Sequence, residues 1–337
     1  MTDAGLVVAI GLAVAFTATN GFHDAANSIA ALVATRTATP AQAIVLASVF
    51  NLLGPLLLGA AVANTIGGIV TVTPSSANQV IGAGLVAALA WNLTMWRRGL
   101  PSSSAQALVG GLVGAALAEG GLHAVNWGGL EGGRPVGFVG TVVSLVISPP
   151  LGALGALLVI RVLRRLARRA TRRWAGSVRG GQWVTAAALA FSHGANDAQK
   201  AIGVIAALLL ADGRISSLAA PTWVTAACAV ALTAGTALGG WRIIRTVGHG
   251  IYHFQPIEGL ASTAASAAVI FGASLVGAPT STSQVVASSV VGVGGGRWRW
   301  RHVHWRVVRE MSVAWLITLP ITAVLAAAAF ELWRWLA

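Results

Sequence analysis

The feature that most restricts the fold of this chain is a series of long apolar runs that are almost free of charge. Only 9% of the 337 residues are charged and 56% are hydrophobic, whereas about a quarter of an average soluble protein is charged. A helix needs roughly 20 apolar residues to cross a bilayer. We therefore expect an all-α polytopic membrane protein, not a soluble one, with about ten to twelve membrane helices when short ones are counted. The runs are Ala4–Thr19, Ala41–Ala63, Val80–Trp96, Val136–Ile160, Val224–Gly240, Ile257–Gly277 and Met311–Trp333.

The basic residues form two clusters that flank apolar runs. Eight Arg residues lie between Arg161 and Arg179 and five between Arg297 and Arg309, within a formal net charge of +13. Clusters of this kind mark the cytoplasmic side of a membrane and face anionic lipid. We interpret them as topology signals at the lipid bilayer and expect no nucleic-acid partner.

The first apolar run is interpreted as a mature helix rather than a secretory signal. Asp3 precedes it, no basic residue does, and no clear small-residue cleavage site follows it. The single cysteine, Cys228, excludes an internal disulfide and a cysteine metal cluster.

Two short segments place an Asp within apolar surroundings, and they match each other. Gly21–Ser28 reads GFHDAANS and Gly194–Ala201 reads GANDAQKA, so that Asp24 and Asp197 are 173 residues apart. Because a charge at membrane depth is costly, an Asp in such a place is expected to be functional.

A second pair of segments carries a Pro and a run of hydroxyl side chains that ends in Gln. Pro101–Gln106 reads PSSSAQ and Pro279–Gln284 reads PTSTSQ, 178 residues later. The nearly constant spacing of both pairs indicates duplication of a unit of about half the chain.

The charges that flank equivalent segments indicate that the two units are inverted. Arg97 and Arg98 precede the first hydroxyl segment, whereas Arg297–Arg309 follows the second. Asp3 precedes the first Asp segment, whereas Arg161–Arg179 precedes the second. With positive residues inside, the units enter the membrane from opposite faces, as in transporters built from inverted repeats. This predicts a first transmembrane repeat at 1–160, a basic cytoplasmic linker at 161–180, an inverted second repeat at 181–337, and both termini outside.

The Asp segments carry groups that suit a small cation. Asn20-Gly21 is expected to interrupt the first helix near the middle of the membrane, because Gly is costly inside a helix. Asp24 and Asn27 are three residues apart, so they share a helical face and offer hard oxygen ligands. The second copy has Lys200, the single Lys of the chain, in place of Asn27. Lys200 either takes part in coupling or forms an ion pair with Asp197 that only holds the fold.

Each of these segments also carries a polar residue directly before its Asp. His23 and Asn196 stand before the two Asp residues. A neutral packing role is favoured for His23, with a titrating role as the alternative.

The hydroxyl segments are expected to open two short helices. Pro101 would occupy the first helical position and Ser102–Ser104 the first turn, where backbone N–H groups have no partner within the helix. The apolar stretch that follows, Ala105–Leu117, is too short to span and is interpreted as re-entrant, like Val285–Val293 after Pro279. Two helix N-termini with hydroxyl donors would form an oxyanion site. Ordinary helices also begin with Ser, so the paired arrangement carries the argument.

At these residues the chain resembles the inorganic phosphate transporter (Pit) family, and within it the bacterial low-affinity phosphate permeases. The resemblance rests on Gly21–Asn27, on His193–Lys200 and on the two hydroxyl segments, with further matches at Phe50–Gly54 and Trp305–Val308. It extends over essentially the whole chain. It implies an inverted-repeat bundle with broken helices and two re-entrant helical hairpins, which holds phosphate between the hairpin tips.

The resemblance also implies roles for individual residues. The residues that would hold phosphate are Ser103, Ser104, Gln106, Ser281, Thr282, Ser283 and Gln284. The residues that would bind or relay the coupling cation are Asp24, Asn27, Asn196, Asp197 and Lys200, and a sodium ion would lie at Asp24, Asn27 and Asp197.

Two departures from the family pattern bear on the coupling ion. Many members have His where this chain has Gln106 and Gln284, and Gln cannot titrate. Lys at position 200 resembles the proton-coupled bacterial members, whereas Asn is common there in sodium-coupled ones. An ammonium at this position could stand in for one bound cation. The coupling cation is therefore H+ or Na+, with H+ favoured.

The sequence thus predicts a secondary active transporter that imports inorganic phosphate by cation symport with alternating access. The alternatives are a sulfate permease of the same family and an anion channel. Phosphate is favoured over sulfate because a protonated phosphate can donate a hydrogen bond to Asp24 or Asp197, which would repel sulfate. No Walker loop or other nucleotide motif is present, so we expect no enzyme activity, no cofactor and energy from an ion gradient. The oligomeric state stays open, a homo-oligomer included.

Overall fold

Helices make up nearly all of the chain that the structure, a computed structural model, describes. The described residues are 3–71, 73–100, 102–168, 173–238, 255–296 and 303–336. Within them the α-helices are α1 (Asp3–Ala34), α2 (Pro40–Leu57), α3 (Ala61–Gly67), α4 (Ala77–Arg98), α5 (Ser104–Gly120), α6 (Gly137–Ala167), α7 (Arg173–Ala211), α8 (Thr222–Leu238), α9 (Pro256–Leu275), α10 (Thr282–Gly295) and α11 (Trp305–Leu336). A 3₁₀ turn at Gly121–Ala124 and an antiparallel hairpin of β1 (Gly129–Glu131) and β2 (Arg134–Val136) connect α5 to α6.

Seven helical segments of the described chain are long and apolar enough to cross a membrane. They are α1, α2, α4, α5 with its 3₁₀ turn, α6, α9 and α11. The expected class, an all-α polytopic membrane protein, is confirmed. The prediction of about ten to twelve helices also counted shorter segments, and the apolar helix α8 is one of these.

The two halves of the chain pack on each other in a reciprocal way. Helix α1 packs on α8, and α7 packs on α2. In the same manner α5 packs on α11, and α10 packs on α6. Helices α4 and α9 also pack on the short helices that follow them, α5 and α10. Any site between the halves is therefore built from both.

The expected break at Asn20-Gly21 is wrong, because α1 continues through it, and α7 likewise continues through Gly194. These glycines serve close packing between helices. A Cβ on Gly21 would lie 2.2 Å from the carbonyl oxygen of Leu232 in α8. A Cβ on Gly194 would lie 2.4 Å from the carbonyl oxygen of Asn51 in α2. The cost of Gly within a helix is thus offset by backbone contact with a neighbouring helix.

The short helices begin later than the sequence predicts. Helix α5 starts at Ser104 with Ser103 as N-cap, and α10 starts at Thr282 with Ser281 as N-cap. A hydroxyl residue is a favoured N-cap, and Pro279 lies two residues before it, outside the helix. With the 3₁₀ turn, the first stretch reaches 21 residues, so the prediction that it is too short to span is wrong. The second, α10, has 14 residues.

Some predicted features lie partly or wholly outside the described residues. These are Pro101, residues 169–172 of the basic linker, the last two residues of the Val224–Gly240 run, and residues 297–302 of the second basic cluster.

Candidate functional site

The two Asp residues meet in the middle of the helix bundle. Asp24 comes from α1 and Asp197 from α7, and each is only 1% exposed. One oxygen from each carboxylate and one ring nitrogen of His193 lie within 4.8 Å of one another. The two copies of the Asp segment therefore form one centre.

Asp24 is held by neutral donors. Asn27 Nδ2 donates to Oδ1 at 2.9 Å. Ser104 Oγ donates to Oδ2 at 3.2 Å, and Ser283 Oγ donates to Oδ1 at 3.1 Å. The ring nitrogen Nδ1 of His23 lies farther away, at 3.4 Å from Oδ1. Within the described ranges no Lys or Arg pairs with this carboxylate, so it has no fixed positive partner.

Asp197 has such a partner. The ammonium of Lys200, which is fully buried, contacts Oδ1 and also donates to the carbonyl oxygen of Thr280 at 2.9 Å. On the other carboxylate oxygen, Thr282 Oγ1 donates at 3.1 Å, and His193 Nε2 lies 2.9 Å away. The two Asp residues therefore differ in charge environment, because Lys200 replaces the neutral Asn27.

The hydroxyl segments contact the Asp segments directly. Ser104 and Thr282 are the first residues of α5 and α10, and each donates to the Asp of its own half. Ser283 crosses to the other half, where its single hydroxyl proton is shared between Asp24 Oδ1 at 3.1 Å and the carbonyl oxygen of Ser102 at 2.8 Å. The groups predicted for the anion and those predicted for the cation thus belong to one hydrogen-bonded network.

Asn196, predicted to bind or relay the cation, lies elsewhere. Its amide nitrogen donates to Ser274 Oγ at 2.9 Å and to the carbonyl oxygen of Ala278 at 3.3 Å, and its Oδ1 accepts from the backbone N–H of Thr280 at 3.2 Å. It therefore anchors the second hydroxyl segment to α7. The structure brings together Asp24, Asn27, Asp197 and Lys200. The side chain of Asn196 instead contacts Ser274, Ala278 and Thr280.

The remaining residues predicted to hold phosphate lie around the helix starts. Ser103 is buried and caps α5, since its Oγ accepts from the backbone N–H of Gln106 at 3.1 Å. Gln106 is partly exposed, whereas Ser281 and Gln284 are buried. All seven predicted residues thus lie in the first turn or at the N-cap of α5 or α10.

Sequence reasoning missed two residues of the centre, His193 and Asn20. Each lies four positions before its Asp, hence on the same helical face. Asn20 Oδ1 accepts from Ser104 Oγ at 2.7 Å. His193 Nδ1 lies 3.0 Å from Oδ1 of Asn51, which links the centre to α2. The spacing of four residues, which places two side chains on the same face of a helix, was the signal that could have identified both.

Several buried polar atoms near the centre have no hydrogen-bond partner among the described residues. They include one acceptor, Oδ1 of Asn27, and two hydroxyls, Oγ1 of Thr280 and Oγ of Ser281. Buried polar groups are normally paired. An oxygen acceptor beside Asp24 fits a small cation, and free hydroxyls beside a helix N-terminus fit an oxyanion.

Nearly the whole chain is similar to known phosphate transporters in sequence and in fold. Residues 20–179 and 170–326 match the model of the phosphate transporter family. A protein of Mycobacterium tuberculosis named a probable low-affinity inorganic phosphate transporter is 40% identical over 329 residues, which cover 97% of this chain and 77% of that protein. A Bacillus subtilis protein of the same name is 40% identical over 321 residues, 94% of both chains. A solved structure titled the sodium-dependent phosphate transporter has a TM-score of 0.86 and 24% identity over 99% of this chain and 100% of that one, which shows a shared fold.

Proposed function

The chain belongs to the phosphate transporter family, and from this premise we propose that it imports inorganic phosphate by cation symport with alternating access. Family members named above are transporters rather than enzymes, and the apolar helices make this chain a multi-pass membrane protein.

The observation that carries the proposal is the direct contact between the hydroxyl and Asp segments. Ser104 donates to Asp24, and Thr282 donates to Asp197, at 3.2 and 3.1 Å. A phosphate that approached these hydroxyls would compete with a carboxylate and would be repelled by it, strongly so in a buried setting. A cation or proton on Asp24 removes that negative charge and frees the hydroxyls of Ser104 and Ser283 for the anion. Cation and phosphate would therefore bind together.

A proton is favoured over sodium as the coupling ion. The ammonium of Lys200 already places a positive charge against Asp197 and against a backbone carbonyl oxygen, where a bound sodium ion would place its own charge. This tethered ammonium leaves Asp24 as the carboxylate without a fixed counter-charge among the described residues. In the sodium alternative, the ion would be held by Asp24, Asn27 and Asp197. Oδ1 of Asn27 has no hydrogen-bond partner among the described residues and could serve as a ligand.

Phosphate would lie between the starts of α5 and α10. The donors proposed for it are the hydroxyls and amides of Ser103, Ser104, Gln106, Ser281, Thr282, Ser283 and Gln284. Six of these residues are at most 3% exposed, and Gln106 is partly exposed. In the proposed mechanism this buried arrangement would be a closed conformation, and transport would require the site to open to each side in turn.

We further propose two inverted-topology repeats, at 1–160 and 181–337, in which α5 and α10 belong to re-entrant hairpins. Although α5 with its 3₁₀ turn is long enough to span, its first residue, Ser104, contacts the buried Asp24, as expected for a helix that begins in the middle of the membrane. The reciprocal packing of α1 on α8 and of α7 on α2 supports this arrangement. The basic linker at 161–180 would then lie in the cytoplasm, with both termini outside.

The experiment that tests the function is uptake of radiolabelled phosphate into proteoliposomes, with sodium and pH gradients imposed separately. We expect saturable, concentrative uptake that is driven by the pH gradient and persists without sodium. Uptake of sulfate in preference to phosphate would favour the permease alternative. Uptake that neither saturates nor concentrates phosphate would favour a channel.

A further inference from the structure

A cavity of about 260 Å³, with both polar and apolar residues in its lining, lies at the end of the bundle opposite to the basic linker. Helix α6 runs from this end, at Gly137, to the linker. The cavity is lined by α3, by the β-hairpin and by the C-terminal end of α9, with Asn64, Thr65, Arg134 and Gly277 among its residues. It lies apart from the Asp24 centre, and nothing in the proposed mechanism uses it.

Arg134 differs from the other basic residues at this end of the described chain. Arg214 pairs with Asp3, and Arg334 pairs with Glu331 at 3.0 Å. Among the residues that the structure describes, Arg134 has no carboxylate within 4.0 Å. Arg134 is exposed and lines the cavity. Among the arginines of the described chain at this end, it is thus the one whose charge is not offset by an ion pair.

The cavity borders the segment that leads to the proposed phosphate site. Thr65 Oγ1 donates to the carbonyl oxygen of Gly277 at 2.7 Å, which ties α3 to the end of α9. Three residues farther along is Thr280, and a three-residue segment spans at most about 10 Å. Thr280 and Ser281 each carry a buried hydroxyl that has no hydrogen-bond partner among the described residues. An anion in the cavity would therefore lie one short segment away from the first donors of the site.

We propose that this cavity is an outer capture subsite for a tetrahedral oxyanion. The inference rests on the proposed function, since the anion is the phosphate to be transported. The planar guanidinium of Arg134 can donate two parallel hydrogen bonds to two phosphate oxygens, and the exposed amide of Asn64 can add a third donor.

The subsite would offset an electrostatic difficulty of the central site. Asp24, which has no fixed counter-charge among the described residues, repels an approaching phosphate, whereas the guanidinium of Arg134 at the entrance raises the local anion concentration. The subsite acts before the carrier closes. Its loss should therefore raise the KM for phosphate and leave the maximal rate unchanged.

The first test compares Arg134→Gln with Arg334→Gln, which removes one positive charge from the same end of the bundle. Initial rates of phosphate uptake are measured over a range of phosphate concentrations. We expect the KM to rise about tenfold in Arg134→Gln, as for the loss of one charge-assisted hydrogen bond, and to stay unchanged in Arg334→Gln. An unchanged KM in Arg134→Gln, or an equal rise in both variants, would overturn the subsite. If the unaltered protein takes up no phosphate, the proposed function fails instead.

The second test measures binding without transport. Ala61, an exposed residue that lines the cavity, is replaced by Cys in a Cys228→Ala background, and the rate of modification by a charged thiol reagent is followed. Inorganic phosphate should slow the modification about severalfold, and the added change Arg134→Gln should abolish this protection. Equal modification rates with and without phosphate would overturn the subsite even if phosphate is transported.

Discussion

Ser283 of α10 donates a hydrogen bond to Asp24 of α1 across 259 positions of sequence, at 3.1 Å from Oγ to Oδ1. The bond joins the hydroxyl segment of one half of the chain to the Asp segment of the other. Ser104 makes the corresponding bond within the first half. The charge state of Asp24 therefore bears on the starts of both α5 and α10, which is the physical basis for coupling an anion to a cation here.

Gly21→Ala should destabilise the protein, because the added Cβ would lie 2.2 Å from a backbone oxygen of α8. Overpacking of this kind costs about 1–3 kcal/mol. We expect a lower midpoint of thermal unfolding in detergent. Gly11→Ala in the same helix is the control, since nothing lies within 4 Å of its Cβ, and it should leave the midpoint unchanged or raise it slightly. Equal midpoints in both variants would mean that α1 and α8 do not approach so closely.

Ser104→Ala and Thr282→Ala should each weaken phosphate binding. A hydrogen bond to a charged group contributes about 1.5–3 kcal/mol, so the affinity should fall by about ten- to a hundredfold. Half-saturation of uptake in proteoliposomes measures the effect. Thr94→Ala, which removes an exposed hydroxyl on α4, should behave like the unaltered protein. Normal half-saturation in both site variants would exclude these hydroxyls from the phosphate site.

The sequence was sufficient to predict the membrane class and the two Asp residues of the centre, and the reason is duplication. Two matching segments with Asp24 and Asp197 could be found without any knowledge of packing. The continuity of α1 could not be predicted, because a glycine that breaks a helix and a glycine that lets α8 approach look the same in sequence. The bonds from Ser104 and Ser283 to Asp24 were also missed, since they depend on how the two halves pack. His193 could have been predicted, because it lies four residues before Asp197 and therefore on the same helical face.

Asp24→Asn should fold and insert normally yet lose concentrative uptake. The change keeps the size of the side chain and deletes a charge that has no fixed partner among the described residues, so stability should be unaltered or improved. The carboxylate that takes up the coupling cation is gone. Protein yield, thermal midpoint and gradient-driven uptake are measured together. Full proton-driven uptake by this variant would show that Asp24 does not carry the coupling.

A cysteine at Ser177 should report the side on which the basic linker lies. Ser177 is exposed near the start of α7, and the variant is made without Cys228. We expect it to resist a membrane-impermeant thiol reagent in intact cells and to react in inverted vesicles. The reverse pattern would overturn the proposed topology, and with it the inversion of the repeats.

Asp197→Asn should be more damaging to the fold than Asp24→Asn, because Lys200 would be left buried without its carboxylate. Breaking a buried ion pair from one side costs about 3–5 kcal/mol, so we expect a lower yield and thermal midpoint. The double variant Asp197→Asn with Lys200→Asn removes both charges and should restore folding. It also recreates an oxygen-rich site like that of Asn27, which should move coupling towards sodium. Uptake under each gradient alone distinguishes the roles: a restored fold with unchanged proton-driven uptake would show that the pair only holds the helix, whereas lost proton coupling would assign it to transport.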